Sequence, residues 1–218
     1  MKLINLFLAA ATAACSAVTI PAATVSVEAG NVVFVGASGQ RRQLTATGLD
    51  SEAVLSPDGR IVAFVRETPD FPIEAGVGEQ TANEIWLVDV EGKTPRRLLR
   101  GKASADMKNV LAGFSSLVFG LDSQRLYFLG AAWVTSNAVC AVDCATGKVE
   151  FVAAGNSLEL VREGKHAGSL IVQQHRYFLG AGSYDWYWLL DPAGKEIGPI
   201  GEEEGLAAFR ELNAAPPP

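Results

Sequence analysis

The stretch V-L-S-P-D-G-R-I-V-A-F-V, residues 54–65, decides the fold. Two apolar runs flank a four-residue turn, Ser56-Pro57-Asp58-Gly59. Pro57 sets φ for the turn, Asp58 can bond its own backbone, and Gly59 takes a positive φ with no Cβ to clash. The runs on either side are rich in Val, Ile and Phe, so the whole reads as a β-hairpin. A second strand-turn-strand unit follows at residues 83–93, N-E-I-W-L-V-D-V-E-G-K.

The rest of the chain repeats these two hairpins. The second kind recurs around residues 31–45, 137–148 and 184–195, with turn glycines at Gly39, Gly92, Gly147 and Gly194. Three of these turns open on an aspartate: Asp89, Asp143 and Asp191. The first kind recurs at residues 121–128, which superimpose Asp122 on Asp58 and Phe128 on Phe64, with Ser123 in place of the glycine. A weaker copy spans 157–174, turning at 163–168. The two kinds alternate along the chain. The turn glycines lie 53, 55 and 47 residues apart, near the ~40–50 of propeller blades. Long connections at 67–82 and 101–112 account for the excess. The first is Pro- and Gly-containing and irregular. The second has room for a turn or two of helix around 105–111.

S-P-D-G-R-I-V-A-F-V followed by N-E-I-W-L-V-D-V-E-G-K-T-P-R-R-L resembles the TolB-like, WD-repeat-like β-propeller blade. The resemblance covers 51–99 well, 115–152 fairly, 157–200 weakly and 24–45 in part. It implies an all-β fold, a small or incomplete propeller of three to four antiparallel blades. About fifteen strands can be counted with 24–28 included, close to a four-bladed ring. The tail 202–212 either supplies a closing strand or forms a helix, with Glu202, Glu203 and Glu204 at its start and Arg210 near its end. The other arrangement is an open, three-blade arc whose exposed edges pair with another chain. The resemblance implies a binding platform or an accessory domain; it specifies no activity.

Composition narrows the classes. The 218 residues are 49% hydrophobic and 19% charged, ample for one buried core. The formal net charge is −6, and no basic stripe stands out beyond Arg41-Arg42 and Arg96-Arg97. Binding to nucleic acid is not expected. Residues 1–23 read as an export signal: Met1-Lys2, an uncharged apolar run over 3–14, then small residues through Ala23. Cleavage after Ala13, Ala17 or Ala23 fits equally, and an uncleaved anchor is the other reading. Thr12-Ala13-Ala14-Cys15 loosely resembles a lipoprotein box, though Thr12 stands where such a box normally has Leu or a similar residue. Contact with a membrane is expected only if Cys15 is lipidated or the signal stays on. Cys140 and Cys144 read as two small buried hydrophobes, since an extended chain holds them too far apart for a disulfide. No metal and no cofactor are expected, because His166 and His175 lack ligand spacing.

No G-x-S-x-G elbow, P-loop or dinucleotide-binding glycine pattern is present. His166 and His175 read as solvated loop residues. Tyr184, Trp186 and Trp188 alternate onto one strand face, with Tyr187 opposite and Tyr177 in the preceding loop. Trp188 sits three before the turn aspartate, as Trp86 and Cys140 do, and is read as core. Trp186, Tyr184, Trp133 and Tyr177 are the candidate binding surface. The expectation is an exported, periplasmic, non-catalytic β-propeller over 24–213, with 214–218 as a loose tail. It would bind another envelope protein, a ligand or its own copy. The alternative is a hydrolase-type enzyme with a polar site at the propeller axis.

Overall fold

A computed structural model describes residues 22–69, 73–75, 78–80 and 82–214. The segment read as an export signal therefore lies outside the described residues up to residue 21, Cys15 included, as does 215–218. Sheet one comprises β1 (Thr24–Glu28), β2 (Asn31–Val35) and β3 (Arg41–Gln43). Sheet two begins with β4 (Asp50–Leu55) and β5 (Ile61–Glu67). A short hairpin of β6 (Ile73–Ala75) and β7 (Gly78–Gln80) is inserted there, before β8 (Asn83–Asp89) and β9 (Arg96–Arg100) complete the sheet. Sheet three is β10 (Ser115–Phe119), β11 (Arg125–Gly130), β12 (Asn137–Asp143) and β13 (Val149–Gly155). Sheet four is β14 (Ser157–Leu160), β15 (Leu170–Tyr177), β16 (Ser183–Leu190) and β17 (Glu196–Gly201), followed by α1 (Glu203–Asn213).

The strands of each sheet pair antiparallel in chain order. Extensive contacts between sheets join only consecutive ones; none of comparable extent joins sheet one to sheet four among the described residues. The fold is thus an open arc of four sheets. The tail resolves into a helix and not a closing strand. The connection read as irregular contains the β6–β7 hairpin, and the second long connection contains a single 3-10 turn at Met107–Asn109.

The turns behave as their residues dictate. The Ser56 hydroxyl donates to Asp58 at 2.6 Å, and Gly59 has φ +72°. Asp89, Asp143 and Asp191 each accept from a backbone N–H two residues on, closing the second kind of turn. Ser123, standing where the glycine would, takes the same left-handed conformation at φ +60°. Its hydroxyl then accepts from Asp58 N at 3.1 Å, tying sheet two to sheet three.

The middle strands of sheets two and three are buried on both faces because each of these sheets lies between two others. Val62, Ala63, Phe64 and Val65 are all buried in succession. Phe64, Val62 and Val88 pack against Val32 of sheet one; Val65 and Ile85 pack with Phe119 and Phe128 of sheet three; Leu129 and Val139 pack with Leu170 and Leu190 of sheet four. Each such large side chain contributes about 1.5–3 kcal/mol by leaving water. Polar locks accompany the packing. Asn83 donates to Phe114 O and accepts from Phe114 N at 3.0 and 2.9 Å, with Asn83 buried. Buried Asp50 meets Arg66 at 2.6 Å, and that guanidinium lies 4.5 Å over Trp86.

One latch recurs at all three junctions. Arg42 donates to Val90 O, Arg96 donates to Cys144 O, and Tyr127 donates to Pro192 O, each time from one sheet to the turn of the next. Among the described residues no fifth sheet lies against the outward face of sheet four; α1 lies there, with Leu206 and Phe209 packed on Val161, Ile171 and Leu189. Asn213 at its end donates to Glu163 O, and Tyr187 donates to Glu203 at its start.

Antiparallel order gives the arc two distinct ends. The β4–β5, β8–β9, β12–β13 and β16–β17 turns share one end. The connections β3–β4, β5–β8, β9–β10, β11–β12 and β15–β16 share the other, here called the loop end.

Candidate binding surface

The longest strands of the molecule, β15 and β16, pair from Leu170↔Leu190 to Tyr177↔Ser183. The period of two places Tyr184, Trp186 and Trp188 with Val172, Gln174 and Arg176 on the face toward sheet three. The opposite face carries Tyr177, His175, Asp185 and Tyr187.

An aromatic ladder runs down the first face. Phe178 stacks on Tyr184 at 4.7 Å between centroids, and Tyr184 on Trp186 at 4.9 Å. Deeper in, Trp188 packs into the core shared with sheet three, as its position implied, with the Arg176 guanidinium 3.6 Å over its ring. Arg176 is also held by Gln174 and Glu196. On the other face Tyr177 meets the His175 ring edge-on at 5.0 Å, and His175 Nδ1 lies 2.9 Å from Asp185 Oδ1. The tip closes where Phe178 N donates to Gly182 O at 3.1 Å, with Gly182 at φ +84°. The side chains there stand in solvent: Tyr177 is 69% exposed, Phe178 54%, and Leu179 fully.

The candidate residues divide accordingly. Tyr184 and Trp186 are joined in the ladder, with Phe178 added to them. Tyr177 belongs to the same hairpin on its other face, as the last residue of β15 and not in a loop. Trp133 is elsewhere: it packs edge-on against Phe151 at 6.0 Å, in the cluster between sheets two and three. Its neighbour Val134 is the exposed one, at 87%. Phe178 and Leu179 escaped the sequence reading. The signal available was Y-F-L-G-A-G, a strand connection with no charged residue.

His175 stands in a strand and not a loop; His166, in the β14–β15 turn, stacks on Phe209 at 5.9 Å. The two lie at opposite ends of sheet four. At the axis, lined by β4, β10 and β14, Glu52 accepts from Ser116 N and Glu159 pairs with Arg210. A cleft of about 370 Å³ opens beside β14, floored by Leu160, Ile171 and Phe209, with Arg162 at its rim. Among the described residues no group of three His, Cys, Asp or Glu is placed to hold a metal. Cys140 and Cys144 are free and buried, and desolvation pushes both thiols up to about 11.

No family model and no curated protein sequence matches this chain. Solved structures do. The β-propeller domain of the Trilobed protease from Pyrococcus furiosus, described as having an open velcro topology, superposes with a TM-score of 0.54 at 18% identity. The match covers 83% of this chain and 53% of that one. The fold is that of a β-propeller. A putative TolB from Agrobacterium tumefaciens gives 0.55 at 12% identity over 82% of this propeller and 57% of its own chain. Porphyromonas gingivalis dipeptidyl peptidase 4 gives 0.55 at 11%, over 82% and 31%. This propeller therefore spans little more than half, or less, of the length of these structures. Identities this low speak for the fold alone.

Proposed function

We propose that this propeller is a non-catalytic binding module of the cell envelope, exported by residues 1–23, that docks through its loop end. One observation carries the reading: the β15–β16 hairpin holds a stacked aromatic ladder that continues into solvent at Phe178 and Leu179. Core packing explains Trp188, while Tyr184 and Trp186 are half-buried and Phe178 stands exposed. An apolar tip on a rigid two-stranded support costs little order on binding, which suits a docking element.

Hydrogen exchange on the purified protein tests this. Adding whole envelope vesicles, lipids and proteins together, is expected to protect amides in 177–186 and to leave the turns at 56–60 and 191–195 unchanged. No protection in 177–186 would remove the proposal. Turnover of small ester, glycoside or phosphate substrates well above background would replace it with an enzymatic reading.

A further inference from the structure

We infer that the loop end of the arc is a membrane-interface surface, and that its partner is the headgroup–acyl boundary of a lipid bilayer. The inference rests on the binding reading above and names the partner of the same surface.

Among the described residues, five of the eight exposed large hydrophobics lie at one end of the arc, and Leu121, Ile197 and Leu212 lie toward the other. Leu49 lies in the β3–β4 connection, Val134 in β11–β12, and Tyr177, Phe178 and Leu179 at β15–β16. All three connections belong to the loop end. Three sheets standing side by side therefore present apolar tips in the same direction. A set of projecting tips matches a soft planar phase, whereas a peptide or helix is gripped by a groove.

The chemistry of the longest tip points the same way. Residues 177–184 read Y-F-L-G-A-G-S-Y, with no charge and a single hydroxyl between the aromatics. Behind the apolar residues come Tyr177, Tyr184 and Trp186, whose hydroxyls and indole N–H have no hydrogen-bond partner among the described residues. Leu and Phe outermost with Tyr and Trp behind is the order in which side chains partition across a bilayer interface.

Charge selects the lipid. The loop end carries Lys102 and Lys108, but also Asp106, Asp185 and the run Glu202-Glu203-Glu204 ahead of and into α1. The surface has no basic excess, so attraction to anionic headgroups is absent and insertion of the tips is the driving term. Binding is therefore expected on neutral phosphatidylcholine, with no gain when phosphatidylglycerol is added.

The test uses the purified protein and protein-free vesicles of those two compositions. Leu179→Cys and, at the opposite end, Lys93→Cys are labelled with an environment-sensitive fluorophore in protein from which residues 1–23 have been removed; Cys140 and Cys144 are buried. The probe at 179 is expected to shift to the blue on phosphatidylcholine vesicles, and the probe at 93 to stay unchanged. Phe178→Ser with Leu179→Ser, both in the solvent-exposed tip and checked for an unchanged fold by circular dichroism, is expected to lower the partition coefficient by about tenfold or more. Absence of a shift at 179 on protein-free vesicles overturns the inference. If whole envelope vesicles still protect 177–186 in that case, the binding module stands and its partner is a protein; if they do not, both readings fall. A mass in light scattering that drops from dimer to monomer in the double variant, without lipid binding, also overturns it in favour of a second copy.

Discussion

Gly194 shows how much one missing Cβ carries. It holds φ +89° in the β16–β17 turn, and an added Cβ would overlap the Val152 carbonyl of the preceding sheet. Gly39 has a similar φ of +80° with open space around it. Gly39→Ala is therefore expected to cost about 1–2 kcal/mol for the left-handed backbone alone, and Gly194→Ala clearly more, by urea unfolding. Asn83→Ala removes both bonds to Phe114 and leaves its N–H and carbonyl orphaned; a loss of about 1–3 kcal/mol per unsatisfied group is expected in the same assay. Cys140 and Cys144 keep their protons to about 11, because burial disfavours the thiolate. The unfolded chain releases them near 9, so stability should fall as pH rises between those values. At pH 8 both thiols should react slowly with a maleimide, and fully once urea is added. Residue identities made part of this legible beforehand. The turn aspartates and glycines announced themselves because a tight turn tolerates few alternatives. Ser123 did not, since nothing in a serine shows that a neighbouring sheet will hold it left-handed. Phe178 and Leu179 were overlooked for a related reason: exposure depends on how far one hairpin outreaches its neighbours, which no local pattern records.

Among the elements, α1 was the hardest to read. Its acidic start and Arg210 fit a helix dipole, yet a closing strand served the blade count equally well. What decides it is the outward face of sheet four, where Val161, Ile171 and Leu189 require an apolar cover that Leu206 and Phe209 provide. Leu206→Asp is expected to undock the helix while the sheets persist. Amides in 203–213 should lose protection from hydrogen exchange, those in 170–176 should keep it, and a dye that binds exposed apolar surface should brighten. The β6–β7 hairpin went unread because its strands are three residues each, too short for a period of two to register. By contrast β5, β8, β11 and β12 were legible as strands, since continuous apolar runs of that length with β-branched and aromatic residues suit a sheet covered on both faces.

At the scale of the molecule, alternation of two hairpin types was enough to expect successive antiparallel sheets, and four of them are present. Whether they close was not legible, because closure depends on the curvature each junction adds. The junctions are alike in one respect that reaches beyond stability. In each, the donor precedes the acceptor in the chain: Arg42 before Val90, Arg96 before Cys144, Tyr127 before Pro192. A polypeptide emerging from the ribosome delivers its amino end first. Every newly delivered sheet then meets a donor already in place, and the arc can be built vectorially, sheet by sheet.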